Sequence, residues 1–508
     1  MNRDLLRDLS AALAAALLVL AAALVGTAIE HRDGTLHVGW PPLYSRWDPH
    51  VGPGTPAAIV VAVAVVAYGP LVAARLPWRA LLLSIWGTGT AWTFSLALVD
   101  GWQRGIALRL TTRYEYLQVI DRFHDIPYAL RDFTHHIVIG SPDHWPPHVA
   151  GHPPAATLTF VLLDRIGLGG GAWAGVWCIT VGAMAAVAVL VTVRALSGEA
   201  LARRAAPFLV LAPAAVWMGT SADGYFAAVA AWALAFLALA VTGHRPRATG
   251  VVSGLLLGLT MYLSYGLTLI AVIAVAVLLL GTRRLRPLPY VVAGALVVPL
   301  AFTLAGFDWW EAYRLLVTRY YQGAGGIRPY GYWVWANLAC TVLIAGPATV
   351  AGLRRAGAAP VRKDIRAGFR TPVPESGVPT PVPESRFGTP ASEARFRTPA
   401  SEARFGTPAS EARFGTPASE ARFRTPASES RLRTPAPESR LALLVLAGLL
   451  ALLIADLSGM SKAETERIWL PFVMWLLPAC AFLTRPRAWL TAQAALALLL
   501  NHLLLTGW

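Results

Sequence analysis

The 508-residue chain is short of charge, with Asp, Glu, Lys and Arg together making only 14% of it. A soluble domain usually carries about a quarter, so an ordinary cytosolic enzyme is excluded. The 56% hydrophobic share and a mean hydropathy of +0.53 agree. Cysteine is almost absent. Cys178, Cys340 and Cys480 each lie inside an apolar run, which excludes a disulfide framework and argues against a thiolate metal site. Lysine is scarcer still, at Lys363 and Lys462 alone. Basic residues outnumber acids 43 to 28, yet the arginines stand in short clusters between apolar runs and form no basic face. Nucleic acid is therefore not an expected partner. What is left is a polytopic membrane protein.

A crossing needs about 20 mostly apolar residues. About thirteen runs meet that need: 9–29, 56–75, 80–99, 171–193, 205–220, 223–242, 249–263, 265–281, 287–305, 332–353, 441–457, 468–483 and 487–505. The first follows Arg3 and Arg7 like a signal peptide, but no clear A-x-A site comes after it, so an uncleaved span is expected. The positive-inside rule gathers Arg75 and Arg79, Arg194 with Arg203 and Arg204, Arg245 and Arg247, Arg283 to Arg286, Arg354 and Arg355, and Arg485 and Arg487 on the cytoplasmic side. The stretch 153–167 is apolar too, but counting it would push Arg203 and Arg204 outside. It is expected as a surface helix behind Pro153 and Pro154. The N-terminus is then cytoplasmic, the C-terminus external, and most carboxylates outer. Six of the eleven histidines fall between His124 and His152 in one outer loop.

The expected fold is all-α and polytopic. Residues 1–79 form an N-terminal transmembrane hairpin region, 80–353 a core with the outer loop 100–170, and 441–508 the last transmembrane helices. Between them, 354–440 reads as a disordered cytoplasmic linker. From Arg386 it repeats every nine residues, beginning RFGTPASEA. A proline in every unit prevents a long helix, and one Phe per unit buries too little area to offset chain entropy. A Thr-Pro phosphorylation or docking array is the sharper alternative for this tract.

Four constellations carry candidate chemistry. Asp100 ends the third run, and Glu115 follows between Tyr114 and Tyr116. A carboxylate at a membrane boundary, walled by aromatic rings, is partly desolvated and suited to accept a proton. The competing reading makes Trp102, Tyr114, Tyr116 and Trp145 an interfacial aromatic belt. His135, His136, His144, His148 and His152 make a second group. The spacing of four in the last three suits a metal on a helix face, although Pro146, Pro147, Pro153 and Pro154 oppose a regular helix. Phosphate or sugar contacts and plain loop structure are the alternatives. Third, Asp223 in TSAD lies between two apolar runs, where a lone acid is costly unless it meets water or a ligand, or caps the next helix. Fourth, Arg314 and Arg319, and Lys462, Glu464, Glu466 and Arg467 in ETERIW and its approach, place cations at a level where they can hold a lipid phosphate. Arg467 beside Trp469 fits an anchor equally well.

The order of these motifs resembles the GT-C superfamily of membrane glycosyltransferases, particularly actinobacterial mannosyl- and arabinosyltransferase-like proteins. The features that carry the likeness are the acid-bearing outer loop from Asp100, the closing GHPPA (151–155), the outer TSAD aspartate and ETERIW (464–469). The likeness covers roughly 80–353 and 441–483. Members often carry paired acids in the first outer loop, and neither Asp100 nor Glu115 has an adjacent acid. The resemblance implies inverting transfer of a sugar from a polyprenyl-phosphate donor to a cell-envelope glycan, lipid or protein, on the outer face of the plasma membrane. Asp100 or Glu115 would be the base, and Asp223 would position the acceptor or help hold a metal. His148, His152, Arg319, Lys462, Glu466 and Arg467 would serve the sugar or lipid phosphate. No cofactor is required, and a divalent cation is compatible. A transporter or lipid flippase and a non-catalytic scaffold are the alternatives; absent mid-span charges and absent half-to-half similarity count against a transporter.

Overall fold

The computed structural model describes residues 3–368 and 436–507, and they are overwhelmingly helical. Six helices are long and apolar enough to cross a membrane, or up to eight if two sharply bent pairs each count as one. They begin with α1 (Arg3–Asp33), α2 (Thr55–Arg75) and α3 (Trp78–Ala97). A short helix, α4 (Ala155–Arg165), follows the His-Pro-Pro motif; its 11 residues are too few to span about 30 Å. Next come α5 (Gly171–Gly182), continued by α6 (Met184–Ser197), then α7 (Glu199–Val210) and α8 (Ala222–Val241). After these run α9 (Pro246–Leu263), α10 (Ile270–Leu280), α11 (Leu288–Leu304) and α12 (Trp309–Gln322). The chain closes with α13 (Tyr330–Ala345), α14 (Pro347–Gly368), α15 (Pro437–Leu457) and α16 (Pro486–Leu503). One two-stranded antiparallel pair joins β1 (Ser45–Trp47) to β2 (Leu504–Thr506).

Several apolar runs are broken where the sequence dictates it. In 205–220, α7 carries Pro207 and stops at Val210; after Pro213 only the single turn Ala215–Met218 is helical. Run 468–483 contains Pro471 and Pro478 and divides into Leu470–Val473 and Leu477–Phe482. Proline removes a helical hydrogen bond and clashes with the preceding turn. In 332–353 the break falls at Gly346, whose φ of 81° needs glycine, and α13 and α14 bend by 108° there. The helix α14 continues through 354–368, so the first part of the expected linker is helical. The repeats themselves, and with them the expectation of disorder, lie outside the described residues.

The buried centre is α8, rich in alanine and with most of its length covered. Small residues let its neighbours approach closely. A Cβ built on Gly182 would stand 3.1 Å from the Gly224 backbone, which seats the first turn of α8 against α5.

Polar contacts sort the connections into two ends. At one, Asp8 pairs with Arg354 and Arg355, Arg355 donates to the Phe482 carbonyl, and Arg203 donates to the Ala73 and Leu76 carbonyls. Arg204 reaches the Leu483 carbonyl, and Arg440 the Leu196 carbonyl. At the other end, Thr55 meets His502, Thr220 donates to the Gly105 carbonyl, and Arg328 reaches the Leu36 carbonyl and Glu464. Arginine-bearing turns thus share one end, and the acid- and histidine-rich loops share the other.

Candidate active site

The loop after α3 folds into short turns around its own core. Trp145 is buried, stacks on Phe123, donates its indole N–H to the Phe133 carbonyl and lies beneath the Arg122 guanidinium. Tyr116 is buried against Phe160. These two rings are therefore core residues, while Trp102 and Tyr114 remain exposed as an interfacial belt requires.

This packing presses Glu115 against the single turn Pro147–Ala150, where the His148 N–H donates to the Tyr114 carbonyl. His148 Nδ1 lies 2.9 Å from Glu115 Oε1, and its Nε2 lies 3.3 Å from Arg467 Nη2. A guanidinium only donates, so Nε2 is the acceptor and Nδ1 carries the hydrogen facing Glu115. Arg467 Nη1 is 2.9 Å from Asp223 Oδ2, and Arg467 Nη2 is 3.8 Å from Glu464 Oε2. A continuous buried array, Glu115–His148–Arg467–Asp223, therefore joins three distant parts of the chain. Asp223 and the loop after Asp100 emerge at the same end of the bundle. Burial pulls the Arg467 guanidinium down, but the carboxylates of Asp223, Glu464 and Glu115 outweigh it and hold the charge more firmly.

His152 supports this array. Its Nδ1 donates to the His148 carbonyl at 2.7 Å, and its ring meets Tyr116 edge-on. Burial pushes the imidazole down to about 4, so it is neutral near pH 7. Asp223 does not cap α8: Ser221 takes that place, accepting the Asp223 backbone N–H, and Asp223 sits in the first turn. The preceding Thr220 is held at a φ of 65°, and Ala463 and Glu464 before Arg467 are at 68° and 61°. Left-handed backbone is costly for a β-branched residue, and such outliers gather at functional sites.

Two buried carboxylate oxygens, Glu115 Oε2 and Glu466 Oε2, have no hydrogen-bond partner among the described residues, while Glu115 Oε1 faces His148. Buried polar atoms are normally satisfied. Arg319 is similar: Nη2 donates to the Trp145 carbonyl, and buried Nη1 has no partner among the described residues.

Other candidates have different duties. Asp100 is enclosed by two guanidinium groups, Arg104 at 2.8 Å and Arg109 at 3.0 Å, and by the His50 imidazole at 3.1 Å. Nothing joins it to the Glu115 array among the described residues' ion pairs. Lys462 gives its ammonium to the Gly325 carbonyl and lies over the Tyr321 ring. Glu466 accepts the Tyr44 N–H at 2.9 Å, and burial pushes its carboxyl up to about 7. His135 and His136 both rest on Asp132. The four-residue histidine spacing makes no helical metal face, because the helix at His148 lasts one turn. Among the described residues no group of three or more His, Cys, Asp or Glu is arranged to hold a metal.

Sequence reasoning overlooked the segment between α1 and α2. Tyr44 meets Glu466, His50 meets Asp100, and Leu36 and His37 receive Arg328, which also donates to the Lys462 carbonyl. Its signal was present: Trp40, Tyr44, Trp47, His37 and His50 give it the composition of the loop 100–170.

No protein-family profile, curated protein or solved structure matches the chain.

Proposed function

We propose that the chain is an integral membrane glycosyltransferase of the GT-C type. It moves a sugar from a polyprenyl-phosphate donor to a cell-envelope acceptor on the extracytoplasmic face of the plasma membrane. The observation that carries this reading is the buried Glu115–His148–Arg467–Asp223 array with Glu115 Oε2 left unpartnered. The two-ended arrangement of polar turns supports thirteen passes between an arginine-rich cytoplasmic end and an acid-rich outer end, several of them through broken helices. Irregular backbone at membrane depth is tolerated where protein covers it, and the pieces of 205–220 and 468–483 are buried.

Glu115 is the base in this reading, in preference to Asp100, whose two oxygens are each committed to an arginine. Glu115 Oε2 takes the proton of the acceptor hydroxyl. The hydroxyl oxygen attacks the anomeric carbon from the side opposite the donor phosphate, and the bond from that carbon to the phosphate oxygen breaks. Its electron pair leaves with the phosphate, and the configuration inverts. Arg467 and the unpartnered Nη1 of Arg319 supply charge for the departing phosphate. His148 orients Glu115, and Asp223 holds Arg467 and positions the acceptor.

The test is transfer from polyprenyl-phosphate sugars in membranes. Glu115→Gln should lower the rate by at least ~10³-fold, as the loss of base and positioning together predicts. Asp100→Asn should cost under about tenfold once corrected for folded protein. The proposal fails if Glu115→Gln transfers as fast as the parent.

A further inference from the structure

A second site stands at the opposite, arginine-rich end. A cavity of about 490 Å³ lies between α2, α7 and the segment before α16, lined by Pro70, Ala74, Phe208 and Leu483 with Arg203 and Arg204. Its walls are largely apolar, with Thr484 and Cys480 among them, and its charged groups are guanidinium. Arg203 is committed, to Glu199 and to the Ala73 and Leu76 carbonyls. Arg204 is different. It makes one hydrogen bond, to the Leu483 carbonyl at 3.2 Å, and among the described residues no carboxylate comes within ion-pair distance of it. Burial and the neighbouring Arg355 lower its affinity for its proton, and Glu438 partly offsets them from beyond ion-pair distance. Asp8 and Glu199, at the same end, are already engaged by Arg354 and Arg355, and by Arg194 and Arg203.

The helix that carries Pro70 and Ala74, α2, exposes the apolar side chains Val60, Val63, Tyr68 and Leu71. A second, smaller cavity of about 200 Å³ is lined by Ala64, Tyr68, Leu81, Ile85 and Val210 and shares Pro207 with the first. The two flank the place where Gly69 of α2 meets Pro207, with a Cβ on Gly69 only 3.3 Å from the proline ring. A guanidinium without an ion-pair partner among the described residues, above two apolar slots, matches one phosphate carrying two hydrocarbon chains. Basic pockets between transmembrane helices recognise anionic headgroups in this way.

We propose that this cavity binds an anionic phospholipid, with its phosphate on Arg204 and an acyl chain between α2 and α7. The site rests on the reading of the chain as a membrane protein and is independent of sugar transfer. The test places the full-length protein in nanodiscs of phosphatidylcholine alone or of equimolar phosphatidylcholine and phosphatidylglycerol, and counts retained lipid by native mass spectrometry. Phosphatidylglycerol should be retained in preference to phosphatidylcholine. Arg204→Ala should lower that retention about fivefold, the worth of one arginine at an anionic lipid surface. Ala74→Trp, which fills the slot and keeps the charge, should lower it as well, and Arg75→Ala, at the same end but outside the lining, should not. Equal retention of the two lipids, unchanged retention in Arg204→Ala or Ala74→Trp, or equal loss in Arg75→Ala would overturn the site. Displacement of the phospholipid by inorganic phosphate would reassign it to a free anion. A protein that remains monodisperse in plain buffer would instead break the membrane reading beneath it.

Discussion

The two ends of the bundle both hold buried ion pairs, and they use them differently. At the arginine-rich end each acid meets more cations than it needs: buried Asp8 is shared by Arg354 and Arg355, and partly exposed Glu199 by Arg194 and Arg203. The leftover donors find backbone carbonyls, as Arg203 does at Ala73 and Leu76. At the other end the acids outnumber the cation that joins them. Arg467 alone spans Asp223, Glu464 and His148, and Glu115 keeps a buried oxygen without a partner. A closed cluster stabilises an architecture, whereas an open one holds reactive groups at an energetic cost that folding must offset elsewhere. Asp100, paired with Arg104 and Arg109, belongs to the closed kind although it lies at the open end.

The comparison breaks most sharply at Arg467. Arg467→Ala leaves Asp223 buried and unpaired, a loss of about 3–5 kcal/mol. Transfer should fall by at least ~10²-fold through lost charge stabilisation. The double variant Asp223→Asn with Arg467→Ala removes both charges, so thermal stability in detergent should largely return while transfer does not. Recovery of both would make the array purely architectural. A smaller effect is expected at the closed end. Asp8→Asn leaves two partly exposed arginines to find water, and about 2–3 kcal/mol should be lost. Transfer per folded molecule should stay at the parent rate, because nothing at that end touches the reacting groups.

Most of the framework was legible before any coordinates. Low charge and apolar run lengths anticipate an all-α fold with helices long and apolar enough to cross a membrane, and the grouping of acids anticipates that Glu115 and Asp223 share one end. Helix continuity was less legible. Hydropathy reports burial but not hydrogen bonding, so runs such as 468–483 look unbroken until Pro471 and Pro478 divide them. The different surroundings of Asp100 and Glu115 were beyond the sequence, because they depend on His50, 50 positions upstream of Asp100, and on Arg467, far downstream. The belt reading of Tyr116 and Trp145 failed for a related reason. An aromatic ring at the interface and one in a loop core share a composition and differ only in what covers them.

The finest test of the open end is its pH dependence at Glu466, which joins the overlooked segment to the array through the Tyr44 N–H. Burial raises its carboxyl from 4.5 to about 7. Between those values the folded protein holds a proton that the unfolded chain has released. Its stabilising contribution is therefore complete below about 4.5 and is lost as pH rises through about 7. His152 runs the other way: burial lowers it from 6.5 to about 4, so its contribution is lost as pH falls through that interval. The two slopes oppose each other, and a melting curve of the parent alone would look flat. Glu466→Gln keeps an oxygen for the Tyr44 N–H and carries no charge at any pH, so subtracting variant from parent isolates the glutamate. The parent should match the variant near pH 5 and melt a few degrees below it at pH 8. A difference independent of pH would mean that Glu466 meets water, and the open end would then extend no further than Arg467.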